Sequence, residues 1–302
     1  MESFNISAER ISPAQLTDLR QQMTGRLFTP SDEGYEEARK VWNGMTDRKP
    51  ALIVQCQSVN DVRMAVKTAR QYNLPVAVRG GGHNAAGNGV CDDGIVIDFS
   101  QMRKVQVDPE QMTAKAQPGA TWGDFDKATQ VYGLATTGGL ISTTGIAGLT
   151  LGGGVGWLVR RFGMSCDNLI GAEVVTADGE LVNASTTENE DLFWGLRGGG
   201  GNFGVVTSLT YRLHPVSTVL GGMILYPRSE AQKVLRFFRD FMQTAPDELT
   251  MYAALIHTPD GVPVVGLLGC YSGDSQTGAD VLKPVREVGE PLADLIAEQP
   301  YL

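Results

Sequence analysis

An α+β fold of two units is what this sequence predicts, on three observations. Residues 51–78 read strand–helix–strand, a helix covering a pair of strands. Residues 203–213 alternate as one long strand that His214-Pro215 ends, because proline has no N–H to give to a ladder. Beyond Pro215 glycine thins out and strands alternate with helices in a different texture, so a boundary falls near residue 216.

The elements follow in order. Two short polar helices, at 13–23 and 34–43, make an N-terminal helical segment over residues 1–44. A buried strand at 51–56 leads into a helix opened by Ser58-Val-Asn-Asp61, with apolar Val62, Ala65, Val66 and Ala69 on one stripe. Asn73-Leu-Pro stops it, and a second strand at 76–78 runs directly into Arg79-Gly-Gly-Gly-His-Asn84. Strands at 94–99, 105–108 and 113–117 precede a helix at 122–132 and a glycine-dense stretch from 138 to 156. Strands at 172–176 and 180–183 flank the hairpin signal Ala177-Asp-Gly179, then a helix at 188–196 meets the long strand. A strand (219–225), a helix (229–243), two strands (250–256, 262–270) and a last helix complete the chain.

Composition limits the function. The 302 residues, 42% apolar and 20% charged, exclude disorder and coiled coil and leave material for a real core. A net charge of −9 argues against nucleic-acid or anionic-membrane partners. Cys56, Cys91, Cys166 and Cys270 form no C-x-x-C pair and the histidines are His83, His214 and His257, so neither a metal site nor a disulfide framework is expected. Residues 1–20 are polar without a secretory pattern, and no apolar run reaches membrane length, so a cytoplasmic protein is the default expectation. Glycine is the outlier: 37 residues, about 12% against a usual 7%.

Three glycine segments compete for chemistry. Gly199-Gly-Gly201-Asn-Phe-Gly204 fits a dinucleotide fingerprint in letters, but a helix precedes it and a strand follows, the reverse of what that fingerprint needs. The Arg79–Asn84 turn ends a strand and leaves glycine N–H groups unshielded for a phosphate; read alone, it is equally a plain turn with an incidental histidine. The run from Thr143 to Trp157 is small and apolar, suited either to a planar ring or to tight glycine packing.

Together with Ile97-Asp-Phe-Ser100, Gly119-Ala-Thr-Trp122, Gly133-Leu-Ala135, Asp167-Asn168, Val174-Val-Thr-Ala-Asp-Gly179, Asp191-Leu-Phe-Trp194 and Arg197-Gly-Gly-Gly-Gly-Asn-Phe-Gly-Val-Val-Thr207, these segments come in one family's order and spacing. The sequence resembles FAD-linked oxidases with the p-cresol methylhydroxylase (PCMH)/vanillyl-alcohol oxidase-type FAD-binding domain, in the berberine bridge enzyme-like group. The likeness is dense over residues 45–215 and loose beyond.

The resemblance implies a two-subdomain PCMH-type fold at 45–215 and, at 216–302, part of an antiparallel substrate-binding sheet backed by helices. It implies FAD bonded through its 8-methyl carbon to His83, with Arg79, Gly80, Gly81, Gly82 and Asn84 around the pyrophosphate. Gly145, Gly148, Gly153, Gly154 and Gly156 would follow the cofactor, and Val205 and Val206 would run beside the adenine. Many relatives add a cysteine bond at the position of Ile141, which has no nucleophile, so a single link is expected. The implied reaction passes hydride from an alcohol, sugar or secondary-metabolite C–H bond to flavin N5, with dioxygen as acceptor and peroxide as product. Substrate and oligomeric state are not legible. Relatives are longer, and the absent portion usually carries the catalytic base; Ala85 stands where some place a tyrosine. The alternative is therefore a truncated or non-catalytic flavin-binding fragment.

Overall fold

The computed structural model describes residues 11–302, so half of the polar stretch at 1–20 lies outside the described residues. Helix α1 (Pro13–Gln22) starts where Ser12 and Gln15 cap each other reciprocally and Pro13 sits at its first turn. Strand β1 (Arg26–Phe28) was not legible, because three residues cannot display a period of two. The next helix, α2 (Tyr35–Ala38), is shorter than the sequence predicts. Its chain leaves early, and the Trp42 N–H donates to the Gly82 carbonyl, 3.1 Å away.

Helix α3 spans Val59–Tyr72 between a Ser58/Asp61 capping box and a left-handed Asn73. It covers a sheet of β1, β2 (Leu52–Gln55), β3 (Val76–Arg79) and β4 (Ile95–Asp98) in the order β1-β2-β4-β3. The last three strands are parallel, with Gln55 and Arg79 flanking Asp98 in register.

A second sheet is antiparallel. Its strands are β5 (Val105–Asp108) and β6 (Thr113–Ala116), then, after α4 (Trp122–Gln130), β7 (Leu134–Ala135), α5 (Ile146–Leu151) and α6 (Val159–Phe162), β8 (Leu169–Val175), β9 (Leu181–Ser185) and, past α7 (Glu190–Leu196), β10 (Val205–Arg212). They order as β5-β6-β10-β8-β9, with Trp122, Phe125 and Tyr211 packed edge to face in the core. Helix α7 lies before the glycines at 199–204 and β10 after them, so the dinucleotide fingerprint has no helix to open. His214-Pro215 does more than end β10: it forms β11 and pairs with β7.

The third sheet joins β12 (Thr218–Pro227), β13 (Leu249–His257), β14 (Pro263–Tyr271), β15 (Ala293–Asp294) and β16 (Ala297–Pro300) around central β12. Helices α8 (Ala231–Phe241) and α9 (Ser275–Glu287) bury one face against Ile224, Tyr226, Leu249, Val265 and Leu267. No helix among the described residues is long and apolar enough to cross a membrane.

Candidate functional site

The glycine turn is anchored from behind. Arg79 ends β3 facing Asp98 at the end of β4, and its Nε and Nη2 lie 3.1 and 3.0 Å from the two carboxylate oxygens. The third guanidinium contact is Nη1 to the Lys40 carbonyl at 2.9 Å. Arg79 is thus committed inside the fold, its charge balanced by a fully buried carboxylate. The sequence motif put Arg79 at the cofactor; its side chain supports the turn instead of facing outward.

Beyond Arg79 the backbone is bare. No N–H from Gly80 to Ala86 donates a hydrogen bond among the described residues. Here the two glycine segments meet: a Cβ on Gly81 would stand 2.4 Å from the Gly145 nitrogen, and one on Gly145 would stand 2.3 Å from the Gly81 nitrogen. Any side chain at either position would push the chains apart. Gly82, at φ +70°, turns the chain into His83. Asn84 closes the turn, its Oδ1 accepting from the Asn88 N–H at 3.1 Å.

His83 is half-buried, and its imidazole makes no hydrogen bond among the described residues. Its ring contact is Trp42, stacked with centroids 5.5 Å apart and planes inclined 20°. Asn43 Nδ2 donates to the Ala85 carbonyl at 2.8 Å, so the segment 40–43 is tied to the turn on both sides of the indole. Sequence reasoning missed Trp42 and Asn43; a Trp-Asn pair just before a buried strand carries no chemical signature by itself.

The remaining predicted positions divide. Gly148 faces open space from α5. Gly153 and Gly154 have φ of +108° and +85°, which only glycine adopts at ease. Gly156 serves packing, since a Cβ there would fall 1.7 Å from the Gly138 carbonyl oxygen. Val205 and Val206 direct their side chains into two cores, leaving only backbone to offer a ligand.

Cysteine chemistry is suppressed throughout. Burial raises the thiols of Cys56 and Cys166, pushes Cys91 up to about 11 and Cys270 up to about 12. Ile141 is exposed beside the glycine run. On α4, Asp126 Oδ1 is shut from solvent without a partner, and burial pushes the carboxyl up to about 7. Burial also raises Tyr301, with Asp126 and Cys270 near enough to add to the effect.

The third sheet closes on this region. Arg160 in α6 donates to the carbonyls of Leu249 and Ala245, each at 2.9 Å, and Arg161 to that of Ser272. Trp157 meets Tyr252 edge to face at 5.4 Å. The Tyr252 face of the sheet also carries Met223 and Leu268 in the same row, then Leu225, Gly266 and Ala254 in the next. A Cβ on Gly266 would touch Leu225, Leu268 and Ile256 at 3.3, 3.5 and 3.6 Å, so these side chains rim a shallow apolar dish.

Comparison with known proteins agrees with this geometry. Residues 50–185 match an FAD binding domain. The chain is 34% identical over 285 residues to an FAD-linked oxidoreductase of Dictyostelium discoideum, covering 93% of this chain and 62% of that protein. The crystal structure of 6-hydroxy-D-nicotine oxidase from Arthrobacter nicotinovorans superposes with TM-score 0.88 at 31% identity, over 93% of this chain and 62% of the other. Xylooligosaccharide oxidase from Myceliophthora thermophila superposes with TM-score 0.82 at 26% identity, over 95% and 61%. The chain thus spans about three fifths of the length of these relatives, 62% of the first. Residues 50–185 thus match an FAD binding domain, and over 93% of its length the chain is similar to an FAD-linked oxidoreductase; a berberine bridge enzyme-like protein of Physcomitrella patens also shares its fold, with TM-score 0.84 at 27% identity.

Proposed function

We propose that this chain holds FAD through one covalent bond, from His83, and serves as the flavin-bearing part of an oxidase acting on a neutral small molecule. The observation that carries this reading is the run of amides at residues 80–86 that, among the described residues, donate no hydrogen bond, lying against Gly145 and including His83, whose imidazole likewise makes none there. Consecutive bare N–H groups bind a pyrophosphate without added positive charge, which suits a chain of net charge −9. Bound FAD supplies a two-electron acceptor that takes hydride from a substrate C–H bond and returns the electrons to dioxygen as hydrogen peroxide.

The chain's own groups bind and orient. The amides of Gly80, Gly81 and Gly82 hold phosphate oxygens, while Arg79 and Asp98 keep the turn in place. His83 tethers the ring end, and the cysteines, three buried and Cys91 half-buried, have thiols raised by burial and offer no competing nucleophile. The dish around Gly266 carries no Asp, Glu, Lys or Arg across β12, β13 and β14 on its face, which favours a neutral substrate. Relatives include oxidases named for 6-hydroxynicotine and for xylooligosaccharide, both small molecules.

The test is to load the chain with FAD, precipitate it in acid and follow the yellow colour, then measure peroxide with a panel of neutral alcohols, amines and sugars. Colour should stay in the pellet for wild type and Cys166→Ala and wash out for His83→Ala. Release from wild type would end the covalent reading. Firm loading without peroxide from any substrate would favour a non-catalytic flavin-binding piece.

A further inference from the structure

We infer that Trp42 is a positioning residue for the flavin linkage, holding the His83 imidazole at the angle from which its nitrogen can reach the 8-methyl carbon. The inference rests on the covalent reading above. The linkage step joins an imidazole nitrogen to that carbon. The methyl group gives up one hydrogen, the imidazole nitrogen gives up its proton, and the two electrons released go to dioxygen, which leaves as hydrogen peroxide.

A histidine destined to act as a nucleophile has an orientation problem. Rotation about its terminal torsion is broad and soft, so something must fix the ring. The usual device is a hydrogen bond to one ring nitrogen, which also sets the tautomer. Here no such bond exists among the described residues. The indole of Trp42 lies nearly parallel to the imidazole, 5.5 Å between centroids at 20°. Stacking acts on the ring face, whereas the nitrogen lone pairs lie in the ring plane. The contact therefore limits rotation while leaving both nitrogens free to react.

Trp42 is poorly explained as a packing residue. It is 68% exposed, so it adds little to any core. Its backbone is nevertheless held firmly: the Lys40 carbonyl accepts from Arg79, the Trp42 N–H donates to Gly82, and Asn43 reaches Ala85. Three bonds to the histidine's own turn, spaced over four residues of the approaching segment, place the indole against that ring and against little else.

The experiment uses the full chain as apoprotein from riboflavin-starved cells, mixed with FAD in air and acid-precipitated over a time course. Wild type should accumulate colour in the pellet. Trp42→Leu should do so about 10-fold more slowly, and Trp42→Phe, which restores a ring face, should return most of the rate. Non-covalent FAD affinity, measured by flavin fluorescence in the His83→Ala background, should be the same with Trp42 or Leu at position 42. A coloured wild-type pellet with an equal rate in Trp42→Leu overturns the inference alone. So does a slow Trp42→Leu whose FAD affinity falls in parallel and which Phe does not rescue, since that marks a binding contact. A colourless wild-type pellet overturns the linkage and the inference together.

Discussion

Two carboxylates of opposite circumstance, Asp98 and the partly buried Asp126, decide much of this molecule's response to mutation and pH. Asp98 is fully buried but meets Arg79 through two oxygens. Removing one partner leaves the other charge in the interior, which costs about 3–5 kcal/mol. Asp98→Ala should lower the urea midpoint accordingly and release FAD, and a change of only a few tenths would show the pair to be dispensable. Asp126 Oδ1 has no hydrogen-bond partner among the described residues, and burial lifts the carboxyl to about 7. An acid raised in the folded state binds more protons there than in the unfolded chain between the ordinary carboxylate range and 7. Stability should therefore fall as pH rises through that window, by up to roughly 1.4 kcal/mol per pH unit, and level off above it. Asp126→Asn should flatten this slope; urea titrations at pH 5 and pH 8 measure it, and an unchanged slope would assign the effect elsewhere.

At the scale of elements, the meeting of the turn after β3 with the start of α5 gives a paired test. Gly145→Ala should cost about 1–3 kcal/mol through overpacking and abolish FAD retention. Gly148→Ala, three residues on but facing open space, should instead stabilise α5 by about 0.5–1 kcal/mol, readable as a higher melting temperature. This pair also marks what the sequence could tell. Helix α3 was legible because its caps and apolar stripe agree, and β5 was read to the residue. Helix α5 was not, because Gly, Ala and Thr give no stripe: its buried side is Ile146, Ala147, Thr150 and Leu151. Within the site, the motif marked the residues around His83, but a motif cannot say which way Arg79 points or that residue 42 comes to lie on residue 83. Those facts belong to packing between distant segments.

For the whole molecule, the decisive joint is α6 against the third sheet. Arg160 and Arg161 donate to carbonyls at the ends of β13 and β14. Each lost bond to a buried acceptor costs about 1–3 kcal/mol. Arg160→Ala combined with Arg161→Ala should let the sheet open before the flavin-binding sheets unfold. Loss of the Trp157–Tyr252 contact, seen as tryptophan fluorescence, should then precede loss of helical circular dichroism on heating. Coincident transitions would mean that the two parts unfold as one.

The bare amides at residues 80–86 also carry a clock. A backbone N–H without a partner exchanges its hydrogen with solvent freely, whereas one held by a phosphate oxygen must wait for the ligand to let go. In heavy water, a peptide spanning the turn should take up deuterium almost at once in the apoprotein, while β4 beside it stays protected by its ladder. Adding FAD should slow the turn selectively, so the residue-by-residue delay would outline the ligand's footprint on the backbone without any substrate being known.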